Sequence, residues 1–229
     1  CFLFYHRDGG ILTYFTFERM DRMKVLTVVS HPRTDSLTMQ VAEQFVKGLK
    51  EAGHEVEVLD LYREKFDPVL LGEDEPDWTD DGIHYSETVM REIDRMNQAD
   101  GLAFIFPVWW YSIPAMLKGY IDRVWQYNYA YGNSKLPHER IQWIGMVGAS
   151  EKQFDKRQYN KLISYYLNIG LSQFVGVDTS RVDLFYDTLT SMDPDVQKEF
   201  GEQWMKRAYE LGKTYGTFET EQDGLTLGE

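Results

Sequence analysis

From residue 24 onward, apolar and polar positions fall into blocks whose period switches repeatedly between that of a strand and that of a helix. The run "KVLTVV" at 24–29 is nearly continuous apolar and β-branched, as a strand covered on both faces should be. Leu37, Val41, Phe45 and Leu49 then recur every four residues, a single helical stripe that predicts a helix over 37–52 closed by Gly53. "HEVEVLDL" at 54–61 alternates with strand period, which completes a βαβ unit. The same succession predicts a helix over 84–98, a strand "GLAFIF" at 101–106, and a helix opened by Pro114 with Leu117, Ile121 and Val124 on one face. A strand "RIQWIGMVGA" at 140–149, a helix over about 156–168, a strand "SRVDLFY" at 180–186 and a closing helix over 193–216 follow. Five strands alternating with helices over short connections predict a parallel sheet inside a three-layer α/β/α sandwich.

Composition narrows what such a domain can do. With 24 Lys+Arg against 37 Asp+Glu, the formal net charge of −13 repels nucleic acid and anionic membrane surfaces. The one cysteine, Cys1, permits no internal disulfide and no thiolate metal cluster, which fits a cytoplasmic protein. No apolar run reaches the ~18 residues that a membrane-spanning helix requires, so no membrane insertion is expected. Residues 1–22 lack the layout of a secretory signal. They read as an extension ahead of a domain over 23–229, or else as the source of an extra edge strand from "ILTYFTF". The stretch "GEDEPDWTDDG" at 72–82 reads as a solvated acidic loop. Asp77, Asp81 and Gly82 imitate a calcium loop, but Thr79 and Thr88 stand where further ligands are needed. The five His residues are scattered without metal-ligand spacing, so no metal site is expected.

In open parallel sheets, ligands bind beyond the carboxyl ends of the strands, near the point where strand order reverses. Three strand ends carry unusual residues. "SHPRTDSLT" at 30–38 puts Ser36, Leu37 and Thr38 at a helix start, where free N–H groups and the helix dipole favour an anion; His31 and Arg33 add donors and potential positive charge. Ordinary helix capping by Ser36 accounts for part of the same pattern. "FPVWWYSIP" follows the third strand, with Trp109, Trp110 and Tyr111 in succession. Three adjacent aromatics cannot all face inward, whereas a flat heteroaromatic ligand would cover their faces; Pro107 fixes the backbone, leaving nearby amides to aim at ring heteroatoms. "GAS" at 148–150 supplies small residues, Gly148, Ala149 and Ser150, whose N–H groups suit developing negative charge, or simply a turn. Neither G-x-G-x-x-G nor G-x-x-x-x-G-K-[ST] occurs, and "GASEK" is not the G-x-S-x-G of a hydrolase.

"SHPRTDSLT", "YR…FDPVL" (62–70), "FPVWWYSIPAMLKGYIDRVW", "YAYG" (129–132) and "GAS" occur in the order in which similar motifs stand in the flavodoxin-like NAD(P)H:quinone oxidoreductases, which the chain resembles from Lys24 to Tyr215. The resemblance implies a flavodoxin-like fold with a five-stranded parallel sheet in the order 2-1-3-4-5, and a homodimer. It implies two-electron, ping-pong hydride transfer from NAD(P)H through a flavin to a quinone or similar planar acceptor, with FAD preferred and FMN possible. His31, Ser36, Leu37 and Thr38, with Arg33, would hold the flavin phosphate. Pro107, Val108, Trp109, Trp110 and Tyr111 would line the flavin ring, and Gly148, Ala149 and Ser150 would border it. Relatives in the family carry a Tyr and a His after the small-residue loop. Here Phe154 stands near the Tyr position and no His occurs between Val147 and Gly170, which leaves Tyr159, Lys156 or Arg157 to take over, or backbone N–H groups to suffice. Two other functions compete: an ancillary flavin-binding subunit of a potassium efflux transporter, and a one-electron carrier.

Overall fold

The computed structural model describes residues 22–80, 82–189 and 194–220, with the backbone alone for 194–198. The stretch read as an extension or edge strand therefore lies, but for Arg22, outside the described residues, as do Cys1 and Asp81. Five strands, β1 (Lys24–Val29), β2 (Glu55–Asp60), β3 (Gly101–Pro107), β4 (Arg140–Met146) and β5 (Thr179–Phe185), form one sheet in the order β2-β1-β3-β4-β5. All four pairings are parallel, with registers Lys24↔Glu55, Val25↔Gly101, Gly101↔Arg140 and Arg140↔Thr179. The expected flavodoxin-like order holds. Chain direction across the sheet reverses between β1 and β3, and Ser30 N–H donates to the Ile105 carbonyl at 3.0 Å at that junction.

Alternation along the central strands divides the core in two. Leu26, Val28, Phe104, Phe106 and Trp143 face the helices α2 (Glu87–Asn97) and α3 (Ala115–Val124). Val25, Val29, Ala103, Ile105 and Ile144 face α1 (Leu37–Glu51) and α6 (Pro194–Lys213). Both faces of β1 and β3 are covered, which is why these strands read as unbroken apolar runs. The helices α1 and α6 lie close because Gly48 and Gly212 face one another's partner. A Cβ on Gly48 would collide with the Tyr209 carbonyl, and one on Gly212 with the Phe45 carbonyl.

Four local expectations change. Pro114 is the N-cap of α3 (φ −68°, ψ 153°), one residue ahead of the helix it was expected to begin. β4 ends at Met146, and the chain beyond it is held by loop bonds such as Val147 N–H to the Phe185 carbonyl at 2.7 Å. The acidic loop is not solvated throughout: Asp74 is buried, pairs with Arg123 at 2.7 Å and accepts from Ser86 N–H at 2.7 Å. Burial alone would push its carboxyl up, but the bonds from Arg123 and Ser86 bring it below the usual carboxylate range.

The helix expected over 156–168 is replaced by three pieces. α4 (Glu151–Lys156) starts earlier because Ser150 and Gln153 close a capping box. Left-handed backbone at Gln158 (φ 57°) ends it, α5 (Tyr159–Tyr165) follows, and a π-helix spans Tyr166–Gln173. The wider π turn lets Asn168 and Ser172 both face the sheet. There Trp143 Nε1 donates to Ser172 Oγ at 3.0 Å and Ser180 Oγ donates to Asn168 Oδ1 at 2.7 Å.

Candidate functional site

The loop from Ser30 to Ser36, between β1 and α1, forms a cradle. Ser36 is the N-cap, extended at φ −76° and ψ 157°, with its Oγ accepting from Met39 N–H at 3.3 Å. The N–H groups of Leu37 and Thr38 come first in a 15-residue helix and have no carbonyl one turn back to bond, so the positive end of the helix faces the loop. Ser36 and Thr38 are buried, and so is Ser30, whose Oγ has no hydrogen-bond partner. A buried hydroxyl without a partner beside free helix amides suits an anion better than a plain turn.

His31 supplies a donor to this loop, not a charge. His31 Nδ1 lies 3.1 Å from the Arg33 N–H and 3.2 Å from the Arg33 carbonyl, so the ring bonds the backbone two residues on in either neutral tautomer. Burial lowers the His31 pKa and, with the nearby Arg33 and Arg63 cations, outweighs the backbone bond to Arg33 that raises it, so the ring is neutral at pH 7. The Arg33 side chain is exposed and lies 4.0 Å from Asp35.

A residue without an assigned role in the sequence reading holds the cradle in shape. Arg63, just after β2, donates from Nη2 to the carbonyls of His31 at 2.5 Å and Pro32 at 3.0 Å, while its Nε lies 3.3 Å from Asp60. Turning those two carbonyls outward biases the loop's N–H groups inward. It also leaves a cation beside the anion site.

The turn after β3 is built from strained backbone. Trp109 and Ser112 exchange both backbone hydrogen bonds at 3.1 Å, closing a two-residue turn in which Trp110 (φ 52°) and Tyr111 (φ 61°) are both left-handed. Neither is glycine, and left-handed backbone costs such residues roughly 1–2 kcal/mol each. The three aromatics splay as a result. Trp109 leans toward His31, with ring centroids 6.1 Å apart; Trp110 is 94% exposed; Tyr111 stacks on Tyr159 at 4.0 Å and 28°. The Val108 and Trp109 amides, expected to aim at a ligand, are engaged instead with Met146 and Ser112.

At the third strand end, Gly148, Ala149 and Ser150 are partly exposed. The Ser150 N–H donates to Gln153 Oε1 at 3.2 Å and its Oγ accepts from Gln153 N–H at 3.4 Å, so the α4 cap occupies both. The Gly148 and Ala149 amides are not drawn into that cap. Leu189 packs against Gly148 and would meet any Cβ placed there. Tyr159, half-buried, joins this loop to the aromatic turn through Tyr111.

Thus the structure brings the cradle, the aromatic turn and the small-residue loop to the carboxyl ends of the adjacent strands β1, β3 and β4. A separate cavity of about 460 Å³ opens between the 64–73 loop and the start of α2. Its lining mixes Glu64, Glu87 and Glu92 with Lys65, Arg91 and Arg123 and includes none of the residues of the three loops.

The chain matches the family described by a flavodoxin-like fold over residues 23–224. It is 39% identical over 171 residues to an uncharacterized NAD(P)H oxidoreductase, YcaK, of Escherichia coli (strain K12), spanning 74% of this chain and 87% of that protein. It is 27% identical over 208 residues to NAD(P)H dehydrogenase [quinone] 1 of Cavia porcellus, spanning 80% of this chain and 75% of the relative. Among solved structures, an NAD(P)H:quinone oxidoreductase from Methanothermobacter marburgensis superposes with a TM-score of 0.76 at 32% identity, covering 85% of this chain and 96% of that one.

Proposed function

The chain belongs to the family of flavodoxin-like fold, and from that premise we propose that it is a flavin-dependent NAD(P)H:quinone oxidoreductase. One observation carries the reading: an anion cradle and an aromatic turn meet at the carboxyl ends of β1 and β3, where strand order reverses, with His31 and Trp109 as the point of contact. A molecule with a phosphate at one end and a flat ring at the other fits that pairing. The names of the three proteins compared above, NAD(P)H or quinone oxidoreductases, point the same way.

When bound, a flavin would supply two-electron transfer, accepting hydride from NAD(P)H and passing it to a quinone or similar planar acceptor in alternate half-reactions. The residues of this chain bind, orient and shield. Ser36, Leu37 and Thr38 would hold the phosphate through backbone N–H groups, with His31 beside them and Arg63 fixing the loop. The Arg33 guanidinium contributes long-range charge from the rim. Pro107, Val108 and Trp109 would border the ring, while Trp110 and Tyr111 shape the slot that NAD(P)H and acceptor occupy in turn. The N–H groups of Gly148 and Ala149, beside the capped Ser150, would be available to stabilise negative charge at the ring border. Tyr159 completes the catalytic group at the lip.

Exposed apolar residues, Val69, Leu70, Leu71, Trp78 and Phe174 among them, supply surface for a homodimer, which light scattering would measure. The decisive experiment releases bound flavin from purified protein and identifies it by chromatography, FAD being expected, then follows NAD(P)H oxidation with a simple benzoquinone. Protein that carries no flavin and takes up none would overturn the reading.

A further inference from the structure

At the end of the sheet opposite the three loops, the segment 214–220 that follows α6 runs beneath the amino-terminal ends of the strands and fastens to several of them. The fully buried Tyr215 hydroxyl donates to the Leu102 carbonyl of β3 at 3.0 Å. Arg140, the first residue of β4, donates from Nη1 to the Tyr215 carbonyl at 3.0 Å and the Phe218 carbonyl at 3.3 Å. The Phe218 ring takes two guanidinium groups, Arg140 at 5.2 Å and Arg181 of β5 at 4.8 Å. Thr220 Oγ1 accepts from Ser180 N–H at 3.2 Å and donates to the Asp178 carbonyl at 2.8 Å.

His54, just ahead of β2, closes the remaining corner. It is 5% exposed, and its ring stands edge-on to Tyr215 with centroids 6.1 Å apart. Gly216 lies so close that a Cβ there would sit 3.1 Å from His54 Cε1 and 3.2 Å from Nε2. At the entry to β1, Met23 N–H donates to His54 Nδ1 at 3.2 Å. A backbone N–H only donates, so Nδ1 is the bare nitrogen and the ring proton sits on Nε2, which is buried without a hydrogen-bond partner among the described residues. A second proton has only Nδ1 to occupy, where it would meet the Met23 N–H, donor against donor.

We propose that His54 is an acid-sensitive latch: on taking up a proton it releases Met23 and drives the 214–220 segment off the amino end of the sheet, while the rest of the fold stays closed. Burial, and after it the Arg140 cation, hold the ring below its ordinary range. Tyr215 is pushed up by burial and stays neutral, and the ion pairs of the flanking elements, Arg22–Glu55, Lys24–Glu57 and Lys213–Glu51, close on themselves. The folded state therefore favours the neutral ring. The latch is complete above the ordinary histidine value of about 6.5 and is lost as pH falls through the lowered folded value.

The test follows amide hydrogen exchange by mass spectrometry in the purified protein from about pH 7.5 to about pH 5, corrected for the intrinsic exchange rate. It compares the 214–220 peptide, in which the Thr217 and Phe218 N–H groups bond the Thr214 carbonyl, with a peptide from α1. Protection of the segment should fall from about pH 6.5 downward, by up to about tenfold per pH unit, while α1 keeps its protection. His54→Asn, which retains an acceptor for Met23 N–H and cannot titrate, should remove that dependence. His138, a second buried histidine whose Nε2 lies 2.9 Å from the Met96 carbonyl, supplies the control: His138→Gln should leave the dependence in place. Loss of protection in the segment and α1 together, no loss in the segment, or a loss that survives His54→Asn would overturn the proposal. If His54→Asn does not fold, the ring proton resonances of the unaltered protein decide by NMR: a His54 that titrates at or above about 6.5 overturns it, and one that titrates lower, in step with the exchange of the segment, supports it.

Discussion

The cradle after β1 and the turn after β3 stand side by side at one edge of the same sheet, yet their backbones are organised in opposite ways. In the cradle, every special feature follows from regular structure: a capped helix start, amides left free by helix geometry, and two carbonyls tied back by Arg63. In the turn, two bulky residues occupy left-handed backbone, and Trp110 lies almost wholly in solvent. A region that must hold one unchanging group can be unstrained and rigid. On the proposed reading, a region that accepts two planar partners in succession keeps an apolar face open to them, and neighbours such as the Tyr111–Tyr159 stack offset its cost. The difference separates anchoring from turnover, and each half can be broken without the other.

The largest effect is expected at the helix start. In Leu37→Pro the backbone is already suited, since Ser36 is extended and the first helical position tolerates proline, so the change deletes chiefly one N–H. A hydrogen bond to a charged group is worth about 1.5–3 kcal/mol, so flavin affinity by fluorescence titration should fall about tenfold or more. Unaltered affinity in a folded variant would show that the anion lies elsewhere. A smaller loss is expected for Arg63→Ala, which frees the His31 and Pro32 carbonyls. With about 0.5–1.5 kcal/mol at stake, FAD and FMN should bind roughly 2–10-fold more weakly, and riboflavin, which has no phosphate, no more weakly. Equal loss for riboflavin would make Arg63 a general structural tie.

The pH dependence separates the two halves further. Because His31 is shifted below its ordinary value of 6.5, it is neutral at pH 7 and gains charge only as pH falls through its folded pKa. The protonated ring attracts a phosphate more strongly, so FAD affinity should rise as pH drops below about 6.5. His31→Gln, which keeps a donor and cannot titrate, should flatten that rise. A rise that persists in the variant would assign it to another group. The smallest expected change is in the turn. Trp110→Gly relieves left-handed strain and should stabilise the protein by about 1 kcal/mol, a gain in Tm of roughly 2–4 °C. The same variant should raise the KM for quinone while cradle affinity for flavin phosphate changes little. A fall in Tm would mean that Trp110 makes contacts that its exposure conceals.

What the sequence revealed follows the same division. The continuous apolar runs at 24–29 and 101–106 and the four-residue stripe of α1 come from simple periodicity, and the structure holds all of them. Strand order was legible only through resemblance, because no local pattern says which strands are neighbours. Ser36, Leu37 and Thr38 could be placed because a helix start fixes its own amides. Arg63 could not, since its carbonyl partners lie about 30 residues away in the chain. The splaying of Trp109, Trp110 and Tyr111 was equally hidden, because left-handed backbone at aromatic residues leaves no glycine to mark it. The break at Gln158 has no local signal either, and the capping box of Ser150 and Gln153 starts α4 ahead of the helix expected over 156–168.

The close seating of α1 on α6, made possible by Gly48 and Gly212, carries a consequence for biosynthesis. The helix that opens the cradle leaves the ribosome well before the helix it rests against. A nascent chain can close its central strands and still hold its anion site on an undocked support. On the proposed reading cofactor capture waits for α6, and a chain stalled before residue 194 should emerge with most of the sheet and little capacity to retain flavin.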